Sequence, residues 1–191
     1  MSSDKPDPGD RLLAELVLEQ GDERAFRALY RRHTPYLYQF VLRTLGGSEL
    51  DAEDVVQETW IRATQNLGGF RWEAPLRSWL NGIALNLCRN LFRRKDRAWL
   101  EVKEEFLPAA NHTPETGIDV ERGLEMMPDG YRTVLLLHDV EGYKHREIAE
   151  MLGTSQGTSK SQLFHARRTL RGLLETGATN ASTDIGTRDH A

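Results

Sequence analysis

The spacing of the apolar residues constrains the fold of this chain more than any other feature. They recur every three or four positions along most of its 191 residues. The most regular stripe runs through Leu76, Leu80, Ile83, Leu87 and Leu91. This spacing puts apolar side chains on one face of a helix, whereas a half-buried strand needs them at alternate positions. Because no segment sustains strand alternation, the sequence predicts an all-α fold.

Breaks in this pattern predict two small helical domains joined by a flexible acidic linker. Residues 100–117 lose the helical spacing and contain two prolines and several acidic side chains, which is typical of a connecting segment. From Gly177 the residues are small and polar, which favours disorder. The predicted organisation is an N-terminal acidic arm and the start of the first helix at 1–21, a first domain at 22–99, the linker at 100–117, a second domain at 118–175 and a disordered tail at 176–191.

Charge is strongly segregated along the chain. The formal net charge is −4, from 25 Lys and Arg against 29 Asp and Glu. Residues 71–99 nevertheless carry a net charge of +5, and residues 143–172 carry +4. Two basic islands in an acidic chain suit a DNA-contacting protein, because only the surface that touches phosphate has to neutralise it. Segregation also fits a protein whose acidic parts face a basic partner.

The sequence predicts a cytoplasmic protein that does not insert into a membrane. It has no apolar run of about 18 residues, the length that a membrane span needs. The first ten residues are acidic and contain two prolines, so they do not resemble a secretory signal. The one cysteine, Cys88, lies on the apolar stripe and is expected to be a buried structural thiol.

The segment from Gly142 to Leu174 has the pattern of a helix-turn-helix. A short helix over 146–152 precedes Gly153, which provides the positive φ that a tight turn needs. Thr154 and Ser155 can cap a second helix, which would enter the major groove of DNA. The outer side of this second helix carries groups able to contact base edges or phosphates: Lys160, Ser161, Phe164, His165 and Arg168.

The first basic island follows an aromatic loop, Phe70-Arg71-Trp72, and continues along a predicted helix over 75–95. Aromatic rings stack on unpaired bases, amides read base edges and arginines hold phosphates, so this composition suits single-stranded DNA. In the alternative, the aromatic side chains pack in the core and the arginines lie in solvent. We expect core packing for Trp79 and Phe92 only. Upstream, Ser48 and Asp51 resemble a capping box that begins a separate helix.

Three segments, residues 51–63, 70–94 and 141–170, resemble the two sequence blocks of bacterial extracytoplasmic-function sigma factors. The resemblance covers roughly residues 22–174. It implies an alternative sigma factor, with neither enzymatic activity nor a cofactor, that binds core RNA polymerase and directs promoter-specific initiation. The partners it implies are the β′ clamp helices and β flap of the polymerase, promoter DNA and an anti-sigma factor.

The resemblance also assigns roles to individual residues. The residues implied to bind core polymerase are Asp51, Glu53, Asp54, Gln57 and Glu58. Those implied to bind the −10 element and trap an unpaired base are Phe70, Arg71, Trp72, Arg77, Asn81, Asn86, Arg89, Asn90, Arg93 and Arg94. Those implied to bind the −35 element are Thr158, Lys160, Ser161, Phe164, His165, Arg167 and Arg168.

The chain departs from the family pattern at several of these positions. Asn81-Gly82 stands where Tyr-Arg is common, so we expect an altered −10 preference. Ser159 replaces an apolar residue, and Gln162 and His165 replace arginines. Each change loses charge or packing, so a weaker or unusual −35 interaction is expected.

Two other functions remain open from the residues alone. A stand-alone helix-turn-helix regulator with an N-terminal dimerisation or effector domain would explain residues 143–172 but leave the acidic 51–63 motif without a role. A hydrolase or metal enzyme could use the carboxylates of residues 51–58. However, the six histidines form no His-x-x-x-His pair, so no metal site is predicted. His138 and His145 are expected to be surface or capping residues.

Overall fold

The structure, a computed structural model, describes residues 7–94 and 120–183. The chain divides into two compact units, Met1–Arg97 and Ala98–Ala191. All regular elements in the described ranges are helical, so the predicted all-α class is confirmed. All of the predicted linker, 100–117, and the last residues of the predicted tail lie outside the described ranges. Among the described helices, none is both long and apolar enough to cross a membrane.

The described part of the first unit contains helices α1 (Pro8–Gln20), α2 (Glu23–Thr44), α3 (Glu49–Asn66) and α4 (Leu76–Arg94), with a 3₁₀ turn at Leu67–Gly69. Helix α2 remains continuous through Pro35, although proline removes one backbone N–H from the helix. Its first turn is capped by the Asp22 carboxylate, which accepts from the backbone N–H groups of Arg24 at 2.7 Å and Ala25 at 3.2 Å. A local signal therefore explains where α2 begins.

Aromatic packing joins α2 to α3 in the first unit. The Trp60 ring lies 5.9 Å from Phe26 in an edge-on arrangement and 5.2 Å from Tyr30. Its indole N–H donates to Thr34 Oγ1 at 3.0 Å, which satisfies the one polar atom of the ring. Phe92 and Cys88 on α4 are buried, as the apolar stripe predicts.

Two local predictions about the first unit are corrected. The segment predicted as an acidic arm and the start of the first helix, 1–21, contains a separate helix, α1, which packs on α2 through the buried Asp10. Its carboxylate accepts from Arg32 Nη1 at 2.7 Å and is paired with His33 Nε2 at 2.9 Å. At the start of α3, the Ser48 hydroxyl donates to Asp51 Oδ2 at 2.7 Å and does not cap the backbone, because the two side chains bond to each other.

The described part of the second unit contains α5 (Val120–Glu125), α6 (Asp129–Leu135), a π-helical turn (Leu136–Val140), α7 (His145–Leu152) and α8 (Gln156–Thr183). A buried arginine, Arg132, connects α5 to α6. It donates to the carbonyl oxygens of Leu124 at 3.3 Å and Met127 at 2.8 Å and pairs with the Asp129 carboxylate. It thus satisfies backbone groups that a helix end leaves without partners.

Helices α7 and α8 form the predicted helix-turn-helix. Gly153 has φ 65° at the turn, and Ser155 Oγ accepts from the Thr158 backbone N–H at 3.0 Å, as predicted for a cap. Helix α8 continues to Thr183, beyond Leu174 and into the predicted tail. Once a helix exists, each added residue gains a backbone hydrogen bond. A helix can therefore extend beyond the end of its apolar stripe where no proline interrupts it.

Candidate nucleic-acid and protein interfaces

Helix α3 exposes a face rich in carboxylates. Glu53, Asp54 and Gln57 are exposed, and Asp51 and Glu58 are half-buried. The opposite face is buried in the unit through Ala52, Val55, Val56, Thr59, Trp60 and Ala63. All five residues implied to bind polymerase are therefore at least partly exposed to solvent.

Apolar side chains flank this acidic face. Leu50 is 81% exposed and Ile61 is 46% exposed. Large exposed apolar groups beside charged ones are common where a protein meets a partner. Glu58 pairs with Arg62 at 2.7 Å, so a cation also lies on this surface.

A groove of about 350 Å³ lies between α3 and α4. The groove brings together side chains to which the family resemblance assigns different partners. Asp54 and Glu58 come from the predicted polymerase set, whereas Asn90 and Arg94 come from the predicted −10 set. Its remaining lining is provided by Val55, Arg62, Leu87 and Leu91.

The loop before α4 forms a three-ring cluster. The Phe70 ring lies 4.8 Å from Trp72 and is stacked at 4.8 Å on Trp79. Trp79 is therefore not the core residue that the stripe predicts: it is half-buried and supports the loop. Trp72 has φ 58°, a left-handed conformation that costs a residue other than glycine of order 1 kcal/mol. Such strain persists only where surrounding contacts enforce it.

The basic residues of α4 differ in their surroundings. Asn86, Arg93 and Arg94 are exposed, while Arg77 lies over the Tyr36 ring at 4.0 Å from its centroid. Arg93 donates to the Asn90 side chain. The −10 set also includes Arg71, which pairs with Glu73 at 3.3 Å, and Arg89, whose pKa is lowered by burial and by the neighbouring Arg93.

The structure contradicts one residue of the predicted −10 set. Asn81 is 1% exposed, so its side chain lies in the core and not on a surface that DNA can reach. It lies four residues before Leu85 and seven before Cys88, which are both buried, and this spacing puts all three on one helix face. The adjacent Gly82 has open space where a Cβ would lie. The buried face of α4 is therefore wider than its apolar stripe suggests.

The outer face of α8 borders a basic groove of about 500 Å³. Phe164 is 65% exposed there, next to exposed Lys160 and Arg168. The residues that line this groove are His145, Lys160, Leu163, Phe164, Arg167, Arg168 and Arg171. They include four Lys or Arg side chains and no carboxylate, a composition that suits a phosphate backbone.

The three residues of α8 that depart from the family pattern differ in their surroundings. Ser159 is fully buried, and its hydroxyl hydrogen-bonds His145 Nδ1 at 3.0 Å, so a polar contact takes the place of apolar packing. Gln162 is 4% exposed, so it lies on the buried side of α8. His165 stacks on Tyr131 at 5.9 Å and meets Phe164 edge-on at 5.5 Å. Of these three, only His165 is not fully buried.

A polar network connects the π-helical turn to α8. Arg167 donates from Nε to Asp139 Oδ2 at 2.9 Å and from Nη2 to Asp139 Oδ1 at 2.6 Å. Asp139 Oδ1 also pairs with His138 Nδ1 at 2.7 Å, and the His138 ring stacks on His145 at 4.6 Å. The hydrogen bond from Arg167 is the main cause of a lowered pKa of Asp139. Burial and then nearby positive charge lower the pKa of His145.

These contacts include residues that the sequence does not single out. Asp139 lies 28 positions before Arg167, and Tyr36 lies far from Arg77 along the chain. Neither pair has a local sequence signature. Arg62 and Arg171 line the two grooves, but in the sequence they are distinguished only by their charge. The two histidines expected to be surface or capping residues are half-buried, and their rings stack on each other.

Comparisons with known proteins identify the family. The model for sigma-70 region 2 matches residues 29–98, and the model for sigma-70 region 4 matches residues 118–170. The chain is 36% identical over 180 residues to the ECF RNA polymerase sigma factor SigM of Mycobacterium tuberculosis H37Rv, covering 92% of this chain and 90% of that protein. It is 31% identical to SigE of Mycolicibacterium smegmatis, over 90% of this chain and 72% of that protein.

Two solved structures resemble the fold. CnrH in complex with the cytosolic domain of CnrY gives a TM-score of 0.58 at 31% identity, over 87% of this chain and 97% of CnrH. RpoE in complex with the anti-sigma factor NepR, from Bartonella quintana, gives 0.59 at 26% identity, over 78% and 96%. The match to region 2 disfavours a stand-alone helix-turn-helix regulator, which would account for region 4 alone. Members of this family are initiation factors and not enzymes. This chain belongs to the extracytoplasmic-function (ECF) sigma factors, alternative sigma factors that direct transcription by RNA polymerase.

Proposed function

We propose that the acidic face of α3 binds the β′ clamp helices of core polymerase through Asp51, Glu53, Asp54, Gln57 and Glu58. The observation that carries this proposal is an exposed row of carboxylates whose helix also exposes Leu50 and Ile61. Carboxylates can pair with a basic partner helix while the two apolar side chains are covered by it. A solvated acidic face would need no such apolar groups.

The aromatic loop and α4 are proposed to bind the −10 element. The rings of Phe70 and Trp72 offer faces for an unpaired base, while exposed Arg71, Arg93 and Arg94 can hold the backbone. Trapping an unstacked base offsets an unstacking cost of a few kcal/mol and so favours strand opening. Asn86, Asn90, Arg77 and Arg89 complete this proposed set, from which Asn81 is removed.

The outer face of α8 is proposed to bind the −35 element in the major groove. The side chains proposed to meet base edges are Lys160, Ser161, Phe164 and His165, with Thr158 near the helix start. Arg167 and Arg168 are proposed to contact phosphates, which position the protein without reading sequence. In this proposal residues 22–99 and 118–175 act as separate binding domains linked through residues 100–117, and the β flap of polymerase holds the second.

Regulation and location follow from the same proposal. We propose that an anti-sigma factor holds this chain inactive, since solved relatives such as RpoE are complexed with one. We also propose that the chain has no catalytic activity or cofactor of its own and that it works in the cytoplasm, where core polymerase transcribes.

Charge reversal on α3 tests the proposal. The double variant Asp54→Lys/Glu58→Lys should lower run-off transcription by reconstituted holoenzyme at least about tenfold, because two close charge pairs would become repulsive. The matched control is Glu15→Lys/Glu19→Lys on α1. These residues have the same spacing and are exposed, and Glu15 pairs with Arg11 as Glu58 pairs with Arg62. Equal transcription by the two double variants would contradict the proposal.

A further inference from the structure

We propose that Asp139 is a positioning residue for promoter binding: it holds the Arg167 guanidinium so that the remaining N–H groups of that side chain bind a DNA phosphate in the α8 groove. This inference rests on the proposed role of α8 in binding the −35 element. It assigns a function in DNA binding to a carboxylate outside the recognition helix.

The geometry of the ion pair leaves one edge of the guanidinium available. Asp139 takes one N–H from Nε and one from Nη2, at 2.9 and 2.6 Å. The two N–H groups of Nη1 and the second one of Nη2 take no part in this pair. Because the guanidinium is planar with fixed donor directions, holding one edge fixes the direction of the other. The Nη1–Nη2 edge is suited to bidentate contact with a phosphate.

Asp139 is itself held in place. It lies in the π-helical turn Leu136–Val140, and the turn is closed by the Glu141 N–H donating to the Leu136 carbonyl at 2.9 Å. Its Oδ1 is paired with His138 Nδ1 at 2.7 Å. The side chain of Asp139 is 31% exposed and that of Arg167 is 53% exposed, so a ligand can reach the pair without unfolding the unit.

The groove supplies a reason for orienting an arginine. Arg167 lines it together with Lys160, Phe164, Arg168 and Arg171. Long arginine side chains lose rotamer freedom when they bind, so one that is already held loses less. The Asp139 carboxylate also repels phosphate, which by itself weakens binding. Orientation and repulsion therefore predict opposite signs for the effect of removing the charge.

The experiment uses holoenzyme reconstituted from core polymerase and the full chain. A promoter is first obtained by run-off transcription of genomic DNA with the wild-type chain, and failure at this step would count against the proposed function alone. Equilibrium binding to that promoter duplex is then measured over a range of salt concentrations for Asp139→Asn, Arg167→Ala and the double variant.

We expect Asp139→Asn to weaken binding about threefold or more, although it removes a negative charge from the DNA-facing side. The slope of log affinity against log salt should become shallower by up to about 0.9, the value of one phosphate contact. In the Arg167→Ala background the same substitution should leave binding unchanged or strengthen it. Unchanged or stronger binding by the single variant would overturn the proposal, as would an equal loss in both backgrounds.

Arg167→Lys provides a second measurement that does not alter the π-helical turn. Lysine keeps the charge but cannot be held through two donors in a fixed fork. We expect it to weaken binding to the promoter about as much as Asp139→Asn does. Binding by Arg167→Lys equal to that of the wild type would also overturn the proposal, because charge without orientation would then suffice.

Discussion

At the scale of single residues, one residue has an unfavourable backbone conformation and another has an unfavourable environment for its side chain. Trp72 adopts φ 58° in the aromatic loop. Glu141 is 7% exposed at the end of the π-helical turn, and burial raises its pKa to about 7. Trp72 belongs to the proposed −10 set, and Glu141 lies two positions after Asp139 in the sequence. Each leads to a measurable consequence.

Trp72→Ala tests whether the loop captures an unpaired base. We expect run-off transcription from a duplex promoter to fall at least about fivefold, because one aromatic surface for stacking is worth roughly 1–3 kcal/mol. A template whose −10 region is already unpaired should restore part of the activity, since strand opening is then no longer required. Trp99→Ala, which changes a tryptophan outside the proposed set, provides the control. Equal losses on both templates would contradict base capture during opening.

Glu141 makes the stability of the second unit depend on pH. Its pKa is raised to about 7 in the folded chain from an ordinary value of 4.5, so the folded state binds the proton more tightly. Stability is therefore favoured at low pH and falls as pH rises from about 4.5 to 7. Glu141→Gln should remove this loss and stabilise the unit by about 2–3 kcal/mol at pH 8, with little effect near pH 4.5.

Urea unfolding at both pH values measures this difference. Glu125→Gln, at an exposed position on α5, serves as the control and should change little at either pH. A Glu141→Gln effect of the same size at both pH values would mean that the carboxyl is not titrating as described.

At the scale of elements, the turn and cap of the helix-turn-helix follow local signals, whereas the docking of α1 on α2 involves a buried polar contact between elements. Gly153 and Ser155 form the predicted turn and cap of the helix-turn-helix. By contrast, α1 is connected to α2 through the buried Asp10, which no local pattern distinguishes from an ordinary first-turn acid. This contact converts a predicted arm into part of the first unit.

Asp10→Ala should loosen α1. The substitution leaves the buried His33 without its carboxylate partner and should destabilise the first unit by about 1–3 kcal/mol. Hydrogen exchange of the α1 amides and chemical unfolding measure the effect. Glu15→Ala, which removes an exposed ion pair with Arg11, should have little effect. Unchanged protection of α1 in Asp10→Ala would show that apolar packing alone holds the helix.

At the scale of the whole molecule, an acidic chain carries two separate cationic surfaces. The net charge of −4 opposes approach to DNA, while each basic island can neutralise only a few phosphates. Two weak sites become effective together when a common scaffold fixes their separation. In the proposed function, core polymerase is that scaffold.

The purified chain is therefore expected to bind promoter duplex weakly, at least about a hundredfold less tightly than the holoenzyme. Equilibrium binding with labelled promoter and a scrambled duplex, at one salt concentration, measures both affinity and specificity. Tight and sequence-specific binding by the chain alone would contradict the two-site mechanism.

Periodicity along the sequence determined the all-α class, the position of the helix-turn-helix and the buried face of α4 around Phe92 and Cys88. These features depend on residues a few positions apart, so they are visible without a fold. Tertiary structure alone decided that Asn81 is buried, that Trp79 supports the aromatic loop and that Asp139 holds Arg167. The physical reason is that burial and ion pairing are set by which elements meet in space, and apolar spacing says where a helix packs but not which side chains face it.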